Sequence, residues 1–453
     1  MGAGRRWRPP HEDESEVGLM LDKGIEMLQA NMRVDDWQLR RKHLVEHQLY
    51  LIGTQVESQR RAETDLINID VFAAAPSDNA KGRGTSTLQF TPGISDDIPE
   101  RIERALDMAA LAVTPRYELP GPADYQAIEL RDPELAERPW ETMERWRTEL
   151  HEAIRRENDV RLSAAEFFVG LETNTMLNSR GVKGQYPATR AFIEMVLLAG
   201  NRQEENENYF STTVRAMSHL NLSRIVKERA TYARDMLTAQ TPQSRTGPVI
   251  ISGRAVAHLF DPFVYRTNGQ AIYRKFFNTA IGDDVFGERA ISGDPLDIAV
   301  DPTIPYGGAS APFDEEGLPL RRIQLIKQGR VENLMASKRY ADYLGIPATG
   351  AATNTVVGTG SLTLEQLLRG PACHIVEFAD FHADPMSGDF VSEIRLGYEI
   401  DARGNATPIK GGAVSGNVFN AFTNCRMSQE TARLRRYYGP KAIRFEELAI
   451  GGA

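Results

Sequence analysis

Cysteine is what this sequence has least of. Across 453 residues there are two, Cys373 and Cys425, 52 positions apart and with no C-x-x-C pair. That spacing excludes a disulfide framework and a thiolate-rich zinc site, and it fits a reducing, cytoplasmic setting. Long apolar runs are missing too. No stretch approaches the ~20 residues of a membrane span, and MGAGRRWRPPHEDESE runs into proline and acid instead of an apolar leader. No membrane association is expected, and residues 1–16 read as a flexible N-terminus. Positive charge is in deficit, with 53 Lys and Arg against 62 Asp and Glu, a net charge of −9. Duplex binding needs a basic face, so nucleic acid is not an expected partner. Several catalytic signatures are absent as well. There is no GxxxxGK[ST] phosphate loop and no GxSxG elbow, and GTGSLT (358–363) lacks the third glycine of a dinucleotide fingerprint.

What remains is ordinary globular composition, 41% hydrophobic and 25% charged, in a chain long enough for two or three domains. VGLMLDKGIEMLQANM (17–32) has helical spacing. HQLYLIGTQVESQ (47–59), TDLINIDVFAA (64–74) and GRGTSTLQF (82–90) read as strands, with the loop APSDNAKG before the third. Helices follow over 95–113 and 141–159, separated by a proline-rich connection over 115–140. Residues 164–200 read as strands turning at Asn178–Gly181, 209–220 as another strand, and 221–239 as a helix. TPQSRTG (241–247) is the expected boundary, and strand-like runs dominate after it. The fold class is therefore α+β: a mixed α/β N-terminal domain over 17–240, then a strand-rich C-terminal domain over 248–453.

Four places carry ligand or nucleophile types. His43-Leu-Val-Glu-His47 matches the H-x-x-E-H pattern of inverted zincins, yet it runs straight into strand sequence, where a surface strand entry is the plainer reading. Cys373, His374 and His382 form a second group, although neighbours on a strand point to opposite faces. Ser310 in GGASAP has no assignable His or Asp partner. The fourth is HLFDPF, beginning at His258 on an apolar helix-like run, which is a metal motif, the remnant of one, or core.

Taken in order, GPVIISGRAVAHLFDPFV, GQAIYRKFF, APFDEEGLPLRRIQLIKQGRVENLMASKRYADYLGIPATG, SLTLEQLLRG, HIVEFADFHADPMSGDFVSEIRLGYEID, GNATPIKGGAVSGNVFNAF and IRFEELAIGG resemble the TldD/PmbA family, once called modulators of DNA gyrase. The resemblance reaches back through GRGTSTLQF to about residue 45. It implies two related subunit types that pair into a zinc-dependent peptidase acting on unstructured, extended peptides. The TldD type holds zinc through H-E-x-x-x-H and a later cysteine; the TldE (PmbA) type keeps the fold and lacks those ligands. Here His258 falls at the first histidine, Leu259 at the glutamate and Phe263 at the second histidine. Neither replacement can bind metal or move a proton. Cys425 lies upstream of the expected cysteine and takes no ligand role.

The resemblance thus implies a TldE-like chain with no metal or catalytic residue of its own, partnered by a TldD-like subunit that carries the zinc. Tyr273, Arg274 and Lys275, with His258 and Asp261, are the candidates for facing peptide or partner, since Arg offers a planar fork and Tyr a rigid donor. The alternative is a stand-alone or pathway-specific hydrolase or peptide-binding protein acting on a peptide-like metabolite. Its rebuilt site would use His258 with Asp261, or His374 and His382.

Overall fold

A computed structural model of the chain describes residues 16–74, 82–91, 98–201 and 204–453. The expected N-terminal flexible segment, apart from its last residue, and most of the APSDNAKG loop lie outside the described residues. Helix α1 (Glu16–Ala30) leads into β1 (Val34–Ile52) and β2 (Gln55–Ala74), a long hairpin reversing at Gly53-Thr54. Gly53 takes a positive φ of 55°, which a side chain at this reversal would resist. The expected strand over 47–59 therefore straddles a turn. Its alternation continues on both sides of the reversal, so periodicity alone does not reveal it.

The chain continues through β3 (Gly82–Phe90), α2 (Ile98–Leu111), β4 (Val113–Pro115), α3 (Pro133–Glu137) and α4 (Pro139–Arg155). Then come β5 (Val160–Asn178), β6 (Lys183–Asn201), β7 (Glu204–Val214) and α5 (Leu222–Thr238). The seven strands form one antiparallel sheet in the order β4-β3-β2-β1-β5-β6-β7. Such a sheet needs one covered face. Helices α1 and α2 cover one end through Leu28, Ile102 and Leu106. At the other end α4 and α5 do the same with Trp146, Leu150, Val226 and Ala230. Asn221 caps α5, its side chain accepting from the Arg224 N–H at 2.9 Å.

After Ala239 the elements shorten: β8 (Arg245–Ser252), α6 (Ala255–His258), α7 (Asp261–Arg266), α8 (Gly269–Tyr273), β9 (Ile298–Asp301), β10 (Ile323–Lys327), β11 (Arg330–Val331) and α9 (Lys338–Leu344). Next are β12 (Asn354–Val357), α10 (Leu364–Leu367), β13 (Ala372–Phe378), β14 (Asp389–Ile400), β15 (Ala406–Ile409), β16 (Ala413–Asn417) and α11 (Val418–Ala421). The last four are β17 (Cys425–Met427), β18 (Thr431–Leu434), β19 (Tyr437–Pro440) and β20 (Ala442–Gly451). β13, β8, β20, β16 and β14 pair successively, and β14 pairs back with β13, so these strands close a ring. Closure removes exposed edges. A second sheet runs β11-β10-β9-β12-β19-β18, and one large apolar core joins it to the ring.

The C-terminal elements also bind the first sheet. Arg229 on α5 pairs with Glu377 on β13, which also accepts from Asn208 Nδ2 at 2.8 Å. The Tyr398 hydroxyl donates to Asp235 at 2.6 Å, and Arg215 Nη1 donates to the Ser310 carbonyl at 2.8 Å. Among the described residues no helix is long and apolar enough to cross a membrane.

Candidate functional site

The HLFDPF segment follows directly from the ring. At the end of β8, Gly253 takes a φ of 70°, and a Cβ there would stand 2.5 Å from the Val376 carbonyl oxygen. Only glycine fits both constraints. Sequence periodicity suggests one helix next, but two short helices form, α6 and α7, with Leu259 and Phe260 between them. Pro262 stands in the first turn of α7, where its missing N–H costs nothing and where an uninterrupted helix would have needed that donor.

The apolar positions of this segment turn inward. Leu259 is 1% exposed, and Phe260 and Phe263 are 0% exposed. Phe263 meets Phe286, Phe419 and Phe422 with ring centroids 5.8, 5.1 and 5.2 Å away, all near edge-to-face. Phe260 stacks on Tyr437 at 5.7 Å. These are preferred aromatic geometries and add to the burial term. On the outer side, His258 Nδ1 lies 3.0 Å from Asp261 Oδ2. Its ring centroid is 6.0 Å from that of His382, which in turn has Asp380 at 4.0 Å.

Zinc does not fit these residues. Leu259 and Phe263 have no donor atom, and the contacts of His258 are one carboxylate and a distant imidazole. Among the described residues no three His, Cys, Asp or Glu side chains gather into a group able to hold a metal.

The other candidates are dispersed. H-x-x-E-H lies inside β1, where Glu46 points to the face opposite His43 and His47. Four residues at ~3.3 Å rise set the two histidine Cα atoms ~13 Å apart. His43 faces Glu63 at 3.0 Å, while His47 stands edge-on to Trp140 at 5.1 Å. Cys373 is buried in the core and His374 faces the other way, toward Ser252 Oγ at 2.9 Å. Burial pushes the Cys373 and Cys425 thiols up to about 12, so both are protonated thiols near neutral pH. Burial, aided by Lys441, brings His374 down to about 4. Ser310 donates to the Ile304 carbonyl at 2.7 Å and accepts from Asn354 Nδ2 at 2.8 Å, a structural hydroxyl. Tyr273 packs on Tyr343 and Tyr340 at 4.9 and 5.8 Å, whereas Arg274 and Lys275 project outward, Lys275 with a φ of 61°.

Sequence reasoning passed over two features. In the turn APFDEEG, burial pushes Asp314 up to about 6, with the Glu315 charge acting in the same direction, and burial pushes Glu316 up to about 7, with the Asp314 charge acting in the same direction. Asp314 Oδ1 accepts the Glu316 and Leu318 N–H groups at 2.9 and 3.0 Å, but its Oδ2 is buried without a partner. The run Asp-Glu-Glu was visible, but the burial of Asp314 and the partial burial of Glu316 were not. The second is Arg266, at the C-terminal end of α7, whose Nε is buried without a hydrogen-bond partner.

Residues 244–452 match the PmbA/TldA metallopeptidase C-terminal domain. A metalloprotease PmbA of Escherichia coli O157:H7 is 27% identical over 286 residues, covering 61% of this chain and 61% of that protein. The C-terminal region of the chain is thus similar to that of the PmbA/TldA metallopeptidases. A zinc metalloprotease TldD homolog of Saccharolobus solfataricus is 24% identical over 246 residues, 48% of this chain and 52% of that one. These family matches therefore span about three fifths or less of the curated relatives' length. Among solved structures, TldE from Thermococcus kodakarensis superposes with a TM-score of 0.79 at 17% identity, covering 96% of this chain and all of that one, which establishes a shared fold.

Proposed function

We propose that this protein is a TldE-like subunit without its own zinc motif, which pairs with a TldD-like zinc-bearing subunit to form a metallopeptidase acting on unstructured peptides. The observation that carries this reading is the burial of Leu259 and Phe263, at the two positions where the family's zinc type has glutamate and histidine. Both are sealed into an aromatic core with no donor atom to offer. The chain then contributes shape, strand edges and hydrogen-bonding groups to an extended peptide, and the partner supplies the Lewis acid. Tyr273, Arg274 and Lys275 are the candidates for facing that peptide or the partner. Residues 17–240 and 248–453 serve as its two domains, in a cytoplasmic setting without nucleic acid or membrane.

Copurification with a TldD-like partner tests the proposal. The pair should cleave an unstructured peptide, and activity should vanish when the partner's motif glutamate is changed to glutamine. Stoichiometric zinc on the isolated chain, or chelator-sensitive cleavage by it alone, would overturn it. The second reading, a self-contained hydrolase, draws on His258, Asp261 and His382, which do come together on one exposed surface.

A further inference from the structure

Beside the aromatic core that replaces the zinc positions lies a pocket of about 420 Å³. Its walls include Arg266, Phe276, Phe277, Val331 and Met386. The guanidinium of Arg266 lies over the Phe419 ring at 3.7 Å and near Phe277 at 5.7 Å. Its Nε has no hydrogen-bond partner, and among the described residues no carboxylate forms an ion pair with it. Burial depresses its proton affinity, and the neighbouring charge acting on it is a second cation, Arg289. Asp283 and Asp284 border the pocket, but one oxygen of each is engaged by the Ala280 and Phe286 N–H groups at 2.8 and 2.9 Å.

A half-buried guanidinium without an anion, backed by another cation, is an incomplete arrangement. Desolvating it has a cost that an ion pair would offset. Around it the wall is mixed, with Asn278, Thr279 and the two aspartates on the polar part and Phe276, Phe277, Val331 and Met386 on the apolar part, where Phe276 is 43% and Met386 46% exposed. We infer that this pocket takes the C-terminal carboxylate of a peptide whose last side chain is apolar. Arg266 forms the bidentate pair with the carboxylate, and Phe276, Phe277 and Met386 receive the side chain. The inference deepens the peptide-handling role and rests on it.

Calorimetric titration of the full chain, without any partner, tests it with N-acetyl-Leu-Phe as free acid and as C-terminal amide. The free acid should bind at least tenfold more tightly, and Arg266→Gln should erase that difference. Because the first comparison uses the unaltered chain, it holds even where the variant folds poorly. Equal binding of acid and amide, absence of binding by both, or inorganic phosphate competing as well as the peptide would each overturn the assignment. Failure to recruit a zinc-bearing partner would sink the proposed function while leaving this titration unchanged.

Discussion

Phe263 stands edge-to-face on Phe422, their ring centroids 5.2 Å apart at an interplanar angle of 75°. The contact ties the segment after β8 to the short helical turn after α11, at the position that the proposed TldE-like reading assigns to a lost metal-binding imidazole. Replacing one ring by a polar group here leaves that group buried without a partner. Phe263→His combined with Leu259→Glu should therefore lower stability by at least about 3 kcal/mol and bind no stoichiometric zinc, as read by denaturant unfolding and metal analysis. A folded double variant that takes up one zinc would mean that the backbone of α6 and α7 still presents a metal site.

Arg83 on β3 is 0% exposed. It donates to Asp36 at 2.9 Å and to the Tyr117 carbonyl at 2.7 Å, and it lies over the Phe72 ring at 4.1 Å. Removing one partner of a buried pair leaves the other charge uncompensated. Arg83→Met should cost about 3–5 kcal/mol, while the double change with Asp36→Asn should recover part of the loss. A loss below about 1 kcal/mol in urea unfolding would show that Asp36 is satisfied by Arg180 and Ser179 alone.

His374 is held down to about 4 by burial and then by Lys441. Its unfolded value lies near 6.5, so between about pH 6.5 and 4 the unfolded chain binds the extra proton. Stability from this residue is thus present above pH 6.5 and declines as the pH falls through that window, by up to about 3 kcal/mol. His374→Gln should flatten this part of the stability-versus-pH curve. An unchanged slope would place the titration elsewhere.

Glu316 works in the opposite sense. Burial first, and then the Asp314 charge, push it up to about 7, so the folded chain holds a proton that the unfolded chain releases near pH 4.5. Its contribution is full below about pH 4.5 and is lost as the pH rises through 7. Glu316→Gln removes that loss, so its stability relative to the native chain should climb by on the order of 2 kcal/mol between pH 4.5 and 8. A gap that does not widen with pH would show Glu316 to be ionised throughout.

Much of the fold follows from local signals. The hairpin of β5 and β6 is marked by Asn178-Ser-Arg-Gly181, and Asn178 Oδ1 does accept the Arg180 and Val182 N–H groups, each at 3.0 Å. Helix α5 begins at its Asn221 cap, within a residue of its expected start. The first half of β1 was less legible, because VDDWQLRRKHL is rich in charge. Those charges are matched across the sheet, Arg41 with Asp65 at 2.6 Å and Arg40 with Asp70 at 2.9 Å. A single strand read alone cannot reveal its partner's sequence.

The sequence by itself determined which positions lack chemistry. Leu and Phe carry no donor whatever surrounds them, so residues 259 and 263 could be assessed without coordinates. Only the tertiary structure decided how the remaining polar groups meet. His258 and His382 come within 6.0 Å through the packing of separate segments, Asp314 is buried in the turn APFDEEG with Glu316 part-buried beside it, and among the described residues Arg266 has no carboxylate partner. Bonding capacity belongs to the side chain, but desolvation and partnership depend on neighbours supplied by distant parts of the chain.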